Sequence, residues 1–201
     1  MHKGLYSLLI FLWINESLAQ EIWKFHDKKY SFILQRDSTL SDDSSQYNCT
    51  IKSIGIFELS SGKQLQNILI DDNSLACNMP PDEVFITEDI NFDGWNDFRL
   101  LQFMPAAPNL PYYFWIFNSK KGSFERDTTL ENITSPSFDS KLKIIQSAWR
   151  DGCCTHGTDT YSYINGKIVL IEQIVSEIDP DTNKETISKR KRINGKMTDL
   201  K

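Results

Sequence analysis

Histidine is scarce in this chain, with three in 201 residues, and only His26 and His156 lie beyond the first nineteen positions. There is no G-x-S-x-G turn, no H-E-x-x-H helix and no glycine-rich phosphate loop. The commonest signatures of acyl transfer, zinc hydrolysis and nucleotide chemistry are therefore missing, which predicts a protein without catalysis of its own. Cationic excess is missing as well. The chain carries 22 Lys and Arg against 27 Asp and Glu, a net charge of −5, whereas nucleic-acid binding needs a basic face to neutralise phosphates. No apolar run approaches the roughly 20 residues that a helix needs to cross a bilayer.

The longest apolar run, Leu5 to Ile14, follows a short basic start at Lys3 and precedes Ser17-Leu18-Ala19. Small residues at Ser17 and Ala19 fit the cleavage rule of a secretory signal peptide, so residues 1–19 read as a signal and 20–201 as one mature domain. No cysteine precedes Cys49, so the signal is not of the lipid-attachment kind. The expectation is an exported, soluble, periplasmic protein.

Export changes the reading of Cys49, Cys77, Cys153 and Cys154. Four cysteines in an oxidising compartment predict disulfides, and they allow three pairings. One joins the adjacent Cys153 and Cys154, which is sterically awkward, together with Cys49–Cys77. The other two tie the early half of the domain to the late one. Cys49–Cys77 is favoured here because both lie in polar stretches flanking a strand-rich segment. The "CCTH" spacing at 153–156 is wrong for a structural zinc site. A Cys–His nucleophile pair there would need a free thiol, which export argues against.

Short runs rich in β-branched and aromatic residues dominate the remainder. They cover 29–35, 51–59, 65–70, 83–88, 97–103, 112–117, 141–149, 159–164, 167–178 and 184–193. Glycine-bearing turns separate them, with Asn165-Gly166 as the strongest hairpin signal. "QFMPAAPNLPYY" (102–113), with three prolines, reads as a rigid surface excursion. The basic run 188–196 reads as an edge strand guarded by lysines. The rhythm predicts an all-β antiparallel sandwich, barrel or propeller-like domain.

"DINFDGWND", residues 89–97, stands out from this background. In the register of an EF-hand loop, Asp89, Asn91 and Asp93 take positions one, three and five, and Gly94 takes position six. The carbonyl of Trp95 and the side chain of Asp97 take positions seven and nine. Leu100 replaces the terminal glutamate, and strands rather than helices flank the loop. The prediction is an EF-like calcium loop between strands, because three close carboxylates repel each other without a cation. A plain Asx turn is the competing reading.

The stretch 148–161, "AWRDGCCTHGTDTY", reads as a cysteine-stiffened loop presenting Trp149, Arg150, His156 and Tyr161. Such residues on a rigid loop are what partner hot spots are made of.

Three segments carry a resemblance: "EDINFDGWNDFRLLQF", "PYYFWIFNSKKGSFERDTTLENITSPSFD" and "TDTYSYINGKIVLIEQ". Their shared features are N-F-D-G-aromatic-x-D, an aromatic strand Y-x-x-W-x-F, a G-x-F and a late Y-x-Y-x-x-G-K. From about Glu88 to Gln173 the chain resembles a family of exported bacterial proteins with calcium loops like those of FG-GAP repeats. Some members are periplasmic immunity proteins that accompany peptidoglycan-degrading toxins of secretion systems, akin to inhibitors of invertebrate-type lysozymes. The resemblance implies calcium at Asp89, Asn91, Asp93 and Asp97, and a cell-wall hydrolase as partner. The alternative is a calcium-dependent adhesion or carbohydrate-binding module.

Overall fold

The computed structural model describes residues 22–40, 47–70, 79–106 and 108–200. The predicted signal peptide and Cys77 lie outside the described residues. Among the described residues, fourteen strands form three antiparallel sheets, each a simple meander in which every strand pairs with the next in sequence. Sheet A holds β1 (Ile22–His26), β2 (Tyr30–Leu40), β3 (Tyr47–Glu58) and β4 (Gln64–Leu69). Sheet B holds β5 (Phe85–Glu88), β6 (Asp97–Leu101), β7 (Tyr112–Asn118) and β8 (Ser123–Arg126). Sheet C holds β9 (Pro136–Asp139), β10 (Ile144–Asp151), β11 (Thr155–Ile164), β12 (Lys167–Ile178), β13 (Glu185–Ile193) and β14 (Lys196–Leu200). The all-β sandwich expectation holds, and the sheets do not close into a barrel.

Sheet B is the middle layer, which explains why β7 reads as a nearly continuous apolar run and why even the charged residues of β6 are buried. All five residues of β6 are buried. On the side of sheet A, Phe32 packs against Phe85, Phe98 and Phe124, and Tyr30 packs against Phe117. On the side of sheet C, the Arg99 guanidinium lies over Phe138 and donates to the Pro136 carbonyl at 2.9 Å. Its Nε pairs with Glu88 at 2.8 Å. Phe114 packs against Phe138 on that side too.

Several expectations are corrected. The segment 83–88 begins as one helical turn, Pro81–Val84, before β5 starts. Proline at the first helical position and the acidic pair Asp82 and Glu83 favour that turn. The basic strand β13 is not at an edge. Asn194 and Gly195 both take positive φ and turn the chain back into β14, as Asn165 and Gly166 do between β11 and β12. Of the predicted excursion 102–113, residues 102–106 and 108–111 do lie outside the sheets, between β6 and β7, while Tyr112 and Tyr113 open β7.

Candidate functional site

Two places in the fold concentrate the predicted site residues. The first is the acidic loop joining β5 to β6. The Asp89 carboxylate accepts from Asp93 N at 3.0 Å and Gly94 N at 2.9 Å. Asn91 Oδ1 accepts from Asp93 N, Asn91 Nδ2 donates to Asp93 Oδ2, and Asp93 Oδ1 accepts from Trp95 N. Phe92 and Gly94 adopt positive φ, so the backbone coils tightly enough for alternate side chains to turn inward. Asp89, Asn91 and Asp93 thus line one small loop with oxygen atoms, the donor type calcium prefers. Among the described residues, no three His, Cys, Asp or Glu side chains converge as a ready-made metal cluster.

Asp97 stands apart from those three. It is fully buried, and its Oδ2 accepts from Ile90 N at 2.9 Å and Asn91 N at 3.3 Å. Its Oδ1 accepts from Phe117 N at 2.8 Å. β6 begins at Asp97 and pairs Phe98 with Trp115, so Phe117 on β7 has no backbone partner across from it on that side. The carboxylate continues the ladder past the end of the strand. Burial pushes the Asp97 carboxyl up to about 7, against the pull of these three backbone N–H groups. The loop is therefore hung from the middle sheet by its ninth residue.

The second place is the β10–β11 hairpin, where the structure revises the predicted loop. Residues 148–161 are mostly paired strand, with Asp151 opposite Thr155 and only Gly152, Cys153 and Cys154 between them. Cys153 and Cys154 are bonded to each other, which removes both pairings that tied 153–154 to the early cysteines. Cys49 sits in strand β3 rather than in a loop. The favoured Cys49–Cys77 partnership falls outside the described residues. Arg150 holds the turn, its Nε donating to Gly152 O at 3.0 Å and its Nη2 to Cys153 O at 2.7 Å.

The four predicted partner residues divide between two faces. Arg150 pairs with His156 across the hairpin and both are exposed on one face. Trp149 and Tyr161 lie on the other. Tyr161 sits opposite the buried Ile145, well down the strand from the tip, and its hydroxyl donates to Asp159 at 3.2 Å. Burial and then Asp159 raise its pKa to about 12. Tyr161 packs against the core and is not part of the tip.

Two residues that sequence reasoning did not single out shape this tip. Gly157 lies opposite Trp149, and a Cβ there would sit 2.4 Å from Trp149 Cζ2. Its missing side chain is what lets the indole lie across the strand. Asn109, from the proline excursion, donates to Arg150 O at 2.7 Å and accepts from Arg150 N at 2.8 Å. β9 stops at Pro136 opposite Ser147, so the carboxamide completes the edge of β10 where β9 no longer can. Ser135 anchors the excursion in turn, through Leu110 N at 2.9 Å and the carbonyl of Pro108. An asparagine between two prolines was the available signal, but its partner lies 41 residues away.

The fold defines a protein of three layered antiparallel meanders with an acidic loop hung from the central one. It is similar to a solved structure described as a Xanthomonas type IV secretion system related protein. The two superpose with a TM-score of 0.59, covering 91% of this chain and 94% of that chain at 17% identity, which establishes a common fold. No protein-family model matches the chain. No curated protein matches it either.

Proposed function

We propose that this chain is a periplasmic, non-catalytic inhibitor that neutralises a lysozyme-like peptidoglycan hydrolase with the tip of its β10–β11 hairpin. The observation that carries this reading is the bracing of the tip. A vicinal disulfide lies within the three-residue turn, the Arg150 side chain clamps the turn's carbonyls, and the Asn109 carboxamide holds the backbone of Arg150 beside it. A stiff, exposed turn loses little entropy on entering a cleft, which is what an inhibitor needs. The similar Xanthomonas structure is described as secretion-system related, and that supports a secretion-associated role here. Among the described residues no helix is long and apolar enough to cross a membrane.

The test is capture of partners from exported proteins, followed by a turbidity assay of peptidoglycan lysis. The intact chain is expected to suppress lysis by the captured hydrolase. Trp149→Ala should weaken the complex by about 2 kcal/mol, a roughly 30-fold rise in Kd, as for a central hot spot. Lysis that continues unchanged in the presence of the chain overturns the proposal.

Calcium belongs to the same reading as a brace. Asp89, Asn91, Asp93 and the Trp95 carbonyl are the groups that would hold it, with Asp97 fixing the loop from beneath. When bound, the ion neutralises the crowded carboxylates and stiffens the link between β5 and β6. Calcium at about a hundredfold excess over its Kd is expected to add roughly 2.7 kcal/mol, raising Tm by about 5 to 10 °C for a domain of this size. Asp93→Ala should abolish that rise. A Tm indifferent to both calcium and Asp93 would make the loop a plain turn.

A further inference from the structure

A second cleft lies on another part of the molecule, where the β1–β2 turn, the end of β3 and the acidic loop meet. Two cavities of about 240 and 470 Å³ share Lys28, Lys29, Tyr30 and Trp95 in their walls. The Lys29 side chain divides them, its Nζ resting 3.4 Å above the centroid of the Trp95 ring. Phe117 backs Trp95 at 5.0 Å, and Tyr30 lies 5.4 Å from Phe117, so the floor is aromatic throughout.

The walls are fixed while the divider is not. Asp27 accepts from Lys29 N, Tyr30 N and Asn96 Nδ2, which ties the first turn to the acidic loop. Leu59 N donates to Lys29 O at 2.8 Å and ties that turn to the end of β3. Lys29 itself is exposed, so its side chain can leave by rotamer changes alone. Asp27 borders the smaller cavity and Glu58 the larger. Their field reaches the floor, since burial and then these two carboxylates raise the pKa of Tyr30. Leu59, 49% exposed, gives the larger cavity an apolar rim.

We propose that this cleft is a binding site for a primary ammonium group on an alkyl chain, which displaces Lys29 from the face of Trp95. The site already holds a cation of that kind, supplied by its own turn. An indole face attracts an ammonium through its quadrupole, and the attraction grows as water is excluded. Two carboxylates balance Lys28 and Lys29, so removal of Lys29 from the ring leaves a place for one further positive charge. The aromatic floor and Leu59 suit the methylene stem that carries it. A lysine side chain of a partner protein and a diamino acid of a wall peptide share this chemistry.

The probe is N-acetyl-lysine methylamide, titrated into the full chain with calcium present throughout. Binding is read by titration calorimetry and, wherever Trp95 is present, from the NMR shift of its indole N–H. Lys29→Ser is expected to bind the probe on the order of tenfold more tightly than the parent chain, because the competing cation is gone. Adding Trp95→Leu to that variant should abolish binding, and adding Glu58→Gln should weaken it. N-acetyl-norleucine methylamide, apolar and uncharged, should not bind. Equal binding of the norleucine probe, or no gain from Lys29→Ser, overturns the proposal. Release of a captured protein by the lysine probe assigns the ammonium to that protein. Competition by an amine-bearing wall peptide instead assigns it to the wall. Because these shifts are read on the isolated chain and Trp149→Ala leaves them unchanged, they fail or succeed independently of hydrolase inhibition.

Discussion

Asp97→Ala is expected to remove about 4 kcal/mol of stability, the largest loss from any carboxylate among the described residues. Two buried backbone N–H groups, on Ile90 and Phe117, and the part-buried one of Asn91 lose their acceptor at once. Each buried donor left unpaired costs roughly 1 to 3 kcal/mol, partly recovered where the loop relaxes toward water. For a domain of this length, Tm should fall by about 8 to 16 °C. Asp97→Asn keeps one acceptor oxygen but turns an amide donor toward a backbone donor, so it should fall between the parent and the alanine variant. Asp93→Ala, at an exposed position, should cost under about 1 kcal/mol without calcium. Chemical denaturation of the three variants in chelator checks the ranking. A loss at Asp97 no larger than at Asp93 would mean that the loop does not hang from the middle sheet.

Gly157→Ala should be the most damaging single-methyl change. The added Cβ meets the Trp149 ring at 2.4 and 2.7 Å and the Ile174 carbonyl oxygen at 2.8 Å. A side chain can swing away, but the carbonyl belongs to the paired strand β12 and cannot move without breaking the ladder. Overpacking of this kind costs roughly 1 to 3 kcal/mol. The indole must leave its seat, so the emission of Trp149 should shift to the red and inhibition should weaken as much as in Trp149→Ala. In the Trp149→Ala background the same glycine change should cost less, because only the Ile174 contact remains. Additive losses in that double variant would show that Trp149 does not rest on Gly157.

How far the sequence foretold this structure depends on the range of the interactions concerned. Asn165-Gly166 was legible as a hairpin because a type I′ turn is decided by two residues. Asn194-Gly195 carries the same signal and the same positive φ values. It lies inside the basic run 188–196, whose charge suits an exposed edge strand. The strands β1, β8, β9 and β14 have only four or five residues each. They are too short for alternation to register, and pairing with a longer neighbour makes them strands. The hairpin of 148–161 passed for a loop because its glycines and polar residues suit turns. Its strand character comes from the apolar run of β12 alongside. The acidic loop was legible as oxygen donors at alternating positions. The role of Asp97 was not, since the N–H it meets on Phe117 is twenty residues away.

The plain meander order of all three sheets bears on how the chain reaches its native state. Among the described residues, each sheet draws its strands from its own stretch of sequence, within 22–69, 85–126 and 136–200, and no strand crosses from one sheet to another. Pairing partners are therefore close in sequence, and little loop-closure entropy opposes each step. For an all-β protein this is low contact order, which places refolding toward the fast end of that class. The middle segment is the one that cannot wait: its aromatic faces are shielded only when the segments before and after it have arrived.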